Sequence, residues 1–339
     1  MSPLERRASI GLASIYGLRM LGLFIILPVF VLYAEHLPGG ESHLLMGIAL
    51  GAYGLTQAIL QIPAGWLSDR YGRKPVIYIS LLLFALGSFI AASADNIYWI
   101  IIGRVVQGAG ALNAAVMALA ADLTREEVRI RTMAIIGMTI GATFSLSLIL
   151  SPLLDGMIGV PGIFALTGVL ALLALLVVRF VIPDPVITRF HSDAEANGKR
   201  FGEVLRNRDL LRLNFGIFSV HAILMSVFMQ VPFLLQAGGL AASQHWKIYL
   251  PVMLAAFVLM LPLIVIAEKK GRTKQIFMLS IMLAALAQAM LVFVPHNIWS
   301  VVAALLIFFT LAIGFILGWF LHSYLLYRKF KKDELVYLP

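Results

Sequence analysis

This sequence predicts an all-α integral membrane protein, and three observations predict it. Hydrophobic residues make up 61% of the 339 and charged residues 13%, with a mean hydropathy of +0.94. A soluble domain carries roughly twice that share of charge. Apolar runs near the roughly 20 residues needed to cross a bilayer as a helix recur along the whole chain. The basic residues gather in alternate gaps between those runs. In lipid, runs of this length close their backbone hydrogen bonds most simply as helices, and strands are excluded at these lengths.

Ten runs are readable: residues 11–33, 44–66, 76–92, 97–120, 132–154, 163–182, 211–235, 248–267, 276–294 and 298–326, spans 1 to 10 in that order. Arg6 and Arg7 precede span 1 as they would a secretory signal. The run is too long for one, carries Arg19 and lacks an Ala-x-Ala-like exit, so it reads as a retained helix. Arg70, Arg73 and Lys74 separate spans 2 and 3, and Arg125, Arg129 and Arg131 separate spans 4 and 5. Between spans 6 and 7 stand Arg189, Lys199, Arg200, Arg206, Arg208 and Arg212. Lys269, Lys270, Arg272 and Lys274 lie between spans 8 and 9, and Arg328, Lys329, Lys331 and Lys332 follow span 10. The remaining loops hold only Lys247. Bases distributed this way mark the cytoplasmic side, so both termini and the long middle loop are expected there. The net charge of +9 then reads as topology and contact with anionic lipid headgroups rather than nucleic-acid binding. The chain has no cysteine, which excludes disulfides and thiolate metal or redox sites.

The polar stretch 183–209, with Pro183-Asp184-Pro185 and a run of Ser, Asp, Asn, Gly and Lys, suits a solvated linker. The expected organisation is a six-helix bundle at 1–182, a cytoplasmic linker at 183–209, a partial bundle of spans 7 to 10 at 210–327, and a basic cytoplasmic tail at 328–339. Residues 201–212 alternate apolar and basic residues, which suits either a short surface helix or a plain ramp into span 7.

The most specific signal is Gly65-Trp66-Leu67-Ser68-Asp69-Arg70-Tyr71-Gly72-Arg73-Lys74-Pro75, a charged turn pinched between spans 2 and 3. It resembles the Gly-x-Leu-small-Asp-Arg-x-Gly-Arg-Lys loop of the major facilitator superfamily, at Gly65, Leu67, Ser68, Asp69, Arg70, Gly72, Arg73 and Lys74. A weaker echo follows span 8, where Glu268, Gly271 and Arg272 stand as Asp69, Gly72 and Arg73 do. Two homologous bundles joined by a linker is what such repeats imply. Within the superfamily the sequence is most similar to the drug:proton antiporter branch, through Leu4-Glu5-Arg6-Arg7, Leu18-Arg19-Met20-Leu21-Gly22, Gly54-Leu55-Thr56-Gln57 and His245-Trp246-Lys247. The resemblance runs from Arg6 to about Phe309. The family has twelve helices, so the ten spans predict a shortened reading of a longer transporter, with a natural ten-helix variant as the alternative.

Ionisable groups inside a bilayer are costly and so are candidates for function. Arg19 lies in the inner half of span 1, where it either takes part in coupling or snorkels to the headgroups. Arg104 is deeper, in Arg104-Val105-Val106-Gln107-Gly108-Ala109-Gly110, which resembles the family's Arg-x-x-Gln-Gly-x-Gly motif. Arg104, Gln107 and Gly108 share a helix face by spacing, and the resemblance implies a part in proton coupling. His221, midway along span 7, titrates near working pH and is the leading proton-carrier candidate, against an interhelical hydrogen bond. Gln57, Gln61, Asn113 and Gln230 are neutral cavity candidates. Gly108, Gly110 and the pair Gly137 and Gly141 suit close helix packing. The antiporter signature of span 5 persists only in Pro152 and Gly156, with Ser147, Ser151 and Asp155 at positions where the family has glycine.

By resemblance the charged turn is a conformational latch: Asp69 faces the N-terminus of an eleventh helix, and Arg73 pairs with Asp122 at the end of span 4. The implied function is proton-coupled export of a small amphipathic molecule by alternating access. The alternatives are a non-transporting membrane protein or interaction partner, and a proton-symport importer. Protons, the substrate and membrane lipids are the expected partners of a monomer. No phosphate-cradling loop is present, so ATP is not expected as the energy source. No cofactor is expected, and no nucleophile–base pair or metal-ligand cluster suggests an enzyme. A carboxylate-poor cavity with arginines favours neutral or anionic cargo.

Overall fold

The computed structural model describes residues 1–184, 207–269, 273–293 and 297–310, and every element among them is helical. Helix α1, Pro3–Phe24, starts with Pro3 in its first turn and a capping box, in which Ser2 accepts from the Glu5 amide and Glu5 accepts from the Ser2 amide. Pro28 has no amide hydrogen, and its ring crowds the carbonyl four residues back, so span 1 breaks at Ile25 and Ile26 and resumes as α2, Leu27–Ala34. Helix α3, His43–Tyr71, is capped by Ser42. It turns into α4, Arg73–Ala92, through Gly72 at φ 95. That positive φ is a conformation side chains avoid.

Span 4 is likewise two helices. Asn96 caps α5, Ile97–Ala109, by accepting from the amides of Tyr98 and Trp99. The backbone then leaves the helix at Gly110 before α6, Asn113–Leu123. Spans 5 and 6 lie within one element, α7, Glu126–Phe180, interrupted at Gly159 (φ 64, ψ 173) just before Pro161. Residue pairings show that α7 doubles back there. Along α1, Ser9 meets Thr132 and Leu21 meets Ser147, so the first half runs parallel to α1. A methyl added at Gly11 would touch Ile182, and one at Gly22 would touch Thr167, so the second half runs antiparallel.

Beyond the first bundle come α8, Arg208–Ala237, α9, Trp246–Lys269, and α10, Thr273–Phe293. They are followed by α11, Ile298–Thr310. The remainder of span 10, most of the 201–212 stretch, and Gly271 and Arg272 of the repeat lie outside the described residues. The chain forms two compact units, Met1–Pro232 and Phe233–Pro339.

Within the first unit, Ile15, Ile77, Leu81, Val116, Leu119 and Val178 fill a core between α1, α4, α6 and α7. Phe144 of α7 meets Phe24 and Phe228 edge-on, at ring separations of 5.2 and 6.0 Å. The outside is as apolar as the inside: Leu44, Leu55, Phe180 and Phe218 are each at least 66% exposed. Such continuous apolar exposure suits lipid and not water. Trp66 and Tyr71 at the end of α3, and Tyr98 and Trp99 at the start of α5, are exposed aromatics at opposite ends of the bundle, where membrane interfaces collect them. Six segments among the described residues are long and apolar enough to cross a membrane, including α1 with α2, α5 with α6, and the doubled α7.

Candidate functional site

Two charged clusters stand out among the described residues of the first unit. The first is at the α3–α4 turn. Arg73 opens α4 and reaches back over the turn to pair with Asp69, while its Nη1 donates to Ser68 Oγ at 2.9 Å. Its Nε donates to Asp122 Oδ2 at 3.3 Å, at the end of α6. The Arg73 side chain is 8% exposed and that of Asp122 is fully buried, whereas Asp69 keeps 28% of its side chain open. One guanidinium thus ties α3 and α4 to α6. The helix-11 partner expected for Asp69 lies outside the described residues.

Neighbouring charges extend this end. Three residues beyond Asp122, Arg125 donates from Nε to Glu5 Oε1 at 2.8 Å and from Nη2 to Oε2 at 3.3 Å, a forked pair that ties the start of α1 to the α6–α7 turn. Lys74 donates to the Ile182 carbonyl at 2.8 Å and pairs with Asp184 at 2.6 Å. Arg7 donates to the Phe180 carbonyl at 2.7 Å. Cations at the C-terminal end of α7 complement its dipole. The ammonium of Lys74 holds the Asp184 carboxyl below the usual carboxylate range. Arg70 lies over the rings of Trp66 and Tyr71, at 5.5 and 5.7 Å.

The second cluster is buried. The break at Gly110 frees a carbonyl from helix bonding, and Arg19 takes it at 3.1 Å through Nη2 while Nη1 donates to Asn113 Oδ1 at 3.0 Å. Freed backbone groups inside a membrane must find such partners. The guanidinium carbon of Arg19 stands 5.3 Å from the Phe84 ring and 5.8 Å from that of Tyr53. Arg104 approaches the same Tyr53 ring at 5.0 Å. It donates to the Ala49 and Leu50 carbonyls at 3.3 and 3.4 Å and to Gln107 Oε1 at 3.0 Å, and Gln107 donates in turn to Ser88 Oγ at 2.8 Å. Arg19 is 0% and Arg104 2% exposed. The structure therefore corrects the snorkelling alternative for Arg19: its head points into the bundle because the α5–α6 break offers acceptors there.

The glycines of this motif permit the approach. A side chain at Gly108 would run into the Tyr53 carbonyl, and one at Gly110 into that of Ser80. Gly65 lies against α6, with Ala114 Cβ 3.3 Å from the position a side chain would take. Gly137 and Gly141 differ from the packing expectation: a methyl at either meets nothing within 4 Å, because the exposed side of α7 carries them. Pro152 is buried within α7 while Gly156 is exposed. The buried Ser147 hydroxyl donates to the Thr143 carbonyl at 2.7 Å and lies 3.4 Å from that of Leu21, so serine serves as a small packing residue against α1.

Gln57 and Gln61 are half-buried on α3, and the side chains of His221 and Gln230 are exposed on α8. The hydrogen-bond acceptors of Arg19 and Arg104 come instead from Ala49, Leu50, Gln107, Gly110 and Asn113. Sequence reasoning missed Tyr53 and Glu5. The one signal for Tyr53 was a polar-tipped aromatic four residues before Gln57.

Long apolar helices arranged around buried arginines, closed at one end by a charged turn, define a polytopic membrane transporter. A profile described as Major Facilitator Superfamily matches residues 12–334, and the chain belongs to that family. The match continues past Phe309, where the motif resemblance stopped. The chain is 43% identical over 309 residues to the inner membrane transport protein YajR of Escherichia coli, covering 91% of this chain and 68% of that one. It is 33% identical over 237 residues to a class G tetracycline resistance protein of Vibrio anguillarum, covering 69% and 57%. Among solved structures it resembles a bacterial homologue of the lysosomal transporter Spinster, in an inward-facing and unoccupied conformation. The TM-score is 0.74 at 14% identity, over 94% of this chain and 75% of that one; at that identity the likeness is one of fold. The relatives are transporters, in line with a protein that moves a small molecule rather than converting one.

Proposed function

We propose that this chain is a proton-coupled secondary transporter of the bacterial inner membrane that exports a small amphipathic molecule by alternating access. The observation that carries the reading is the Asp69–Arg73–Asp122 bridge, which ties three helices together at one end of the first bundle. A carboxylate that loses its charge loses most of its hold on a guanidinium. Protonation therefore releases the bridge, and proton binding is linked to opening of that end. In this reading the end is cytoplasmic, residues 1–182 rock against 210–327, 183–209 is the linker between them and 328–339 is a basic tail. His221 carries the proton, and Gln57, Gln61 and Gln230 line the path. The direction is supported by the tetracycline resistance relative, since a membrane carrier protects a cell by lowering the internal concentration of a toxin.

Accumulation of a fluorescent amphipathic dye in cells expressing the full chain tests this. Lower steady-state accumulation that a protonophore restores is the expected result. Accumulation that rises with expression and falls with the protonophore would instead identify proton-driven uptake.

A further inference from the structure

We propose that Arg19, Tyr53 and Arg104 form a binding site for a single carboxylate inside the first bundle. Three observations point to it. The first is charge. Two guanidinium groups, of residues 0% and 2% exposed, lie 5.8 and 5.0 Å from the centre of one aromatic ring. Among the described residues no carboxylate pairs with either: their acceptors are the carbonyls of Ala49, Leu50 and Gly110 and the amide oxygens of Gln107 and Asn113. Neutral acceptors solvate a buried cation but do not cancel it, and a buried charge without a counter-charge is strongly disfavoured.

The second observation is unused donors. Arg19 Nε and the Tyr53 hydroxyl have no hydrogen-bond partner among the described residues, although both are buried. The Tyr16 hydroxyl makes a long 3.5 Å contact to the carbonyl of Asn113, whose side chain holds Arg19. The third is chemical fit. A planar carboxylate offers one oxygen to a guanidinium N–H and the other to a phenol O–H, and charge-assisted bonds of this kind are the strong ones. Arg104, 5.0 Å from the same ring, supplies the second positive charge without giving up its own bonds. The carboxylate is either a small free acid or the acid group of the transported molecule.

The experiment titrates benzoate and its neutral isostere benzamide into the purified full chain, reading binding by calorimetry and thermal unfolding. Benzoate is expected to bind saturably and raise the unfolding temperature, with benzamide inert. Tyr53→Phe, which removes one hydroxyl and leaves the ring, is expected to weaken benzoate about tenfold, the size of a hydrogen bond to a charged group. Arg19→Gln is expected to weaken it more. Exchange of radiolabelled benzoate across proteoliposomes assigns the site to the cargo, and binding without exchange assigns it to a resident ion. Equal effects of benzoate and benzamide, or benzoate binding unchanged in Tyr53→Phe and Arg19→Gln alike, overturns the site. Binding is read without a proton gradient, so its failure is separable from failure of the transport reading.

Discussion

Arg73 and its two carboxylates differ in burial, and that difference separates stability from function. Asp122 is enclosed, so Arg73→Gln removes a cation from a buried ion pair and is expected to lower the unfolding temperature of the solubilised protein. Asp69 is 28% open, and a partly exposed pair contributes about 0–1 kcal/mol. Asp69→Asn should therefore fold normally and be impaired only in transport, as comparison of unfolding temperature with transport rate will show. The Arg73–Asp122 pair was legible only as what the resemblance implies: the specified positions of the Gly65–Lys74 turn carried the resemblance, and the pairing came with it. Tyr53 was not, since an aromatic residue in an apolar run looks like any core residue until its neighbours are known. Glu5 was also hidden: its forked bond to Arg125 joins residues 120 apart in sequence, which spacing does not reveal.

At the scale of the helices, run lengths were legible and breaks were not. Hydropathy sees composition, and neither Pro28 nor Gly110 interrupts it, so spans 1 and 4 read as single helices although each is two. The break at Gly110 is also what gives Arg19 an acceptor, so the missed feature shapes the candidate site. The fold-back of α7 rests on Gly159, whose φ and ψ lie in a region essentially reserved for glycine. Gly159→Ala is expected to cost about 1–3 kcal/mol, and a chemical-denaturation midpoint checks it. The approach of α5 to α3 depends on Gly108, where an added methyl meets the Tyr53 backbone first and Thr56 Cβ next, neither of which is the far end of a flexible side chain. Gly108→Ala should force α5 away from α3 and destabilise the bundle by about 1–3 kcal/mol, measurable in the same way.

The whole molecule belongs to a family whose members move small molecules across membranes, and each of its two compact units carries a group whose shifted pKa links stability to pH. In the second unit, His245 is 1% exposed, with Nε2 3.1 Å from the Leu240 carbonyl and its ring against Tyr249. Burial lowers its pKa from the ordinary 6.5, so folding favours the neutral ring. The stability this supports is complete above that value and is lost as the pH falls from there toward the lowered pKa. Unfolding temperatures should therefore drop below about pH 6.5, and His245→Gln should flatten that dependence. On the Lys74 side the sign is the same for a different reason: Asp184, held below its ordinary range, keeps its pair until the pH falls through the lowered value.

The account rests on the link between the charged turn and proton movement. The most direct test is proton flux in inverted membrane vesicles carrying the full chain, read with a pH-sensitive dye as tetracycline and a panel of amphipathic acids are added. The account predicts substrate-dependent proton release with the native chain and its loss in a stably folded Asp69→Asn. Undiminished proton release in Asp69→Asn, or none from the native chain with any compound, would contradict it.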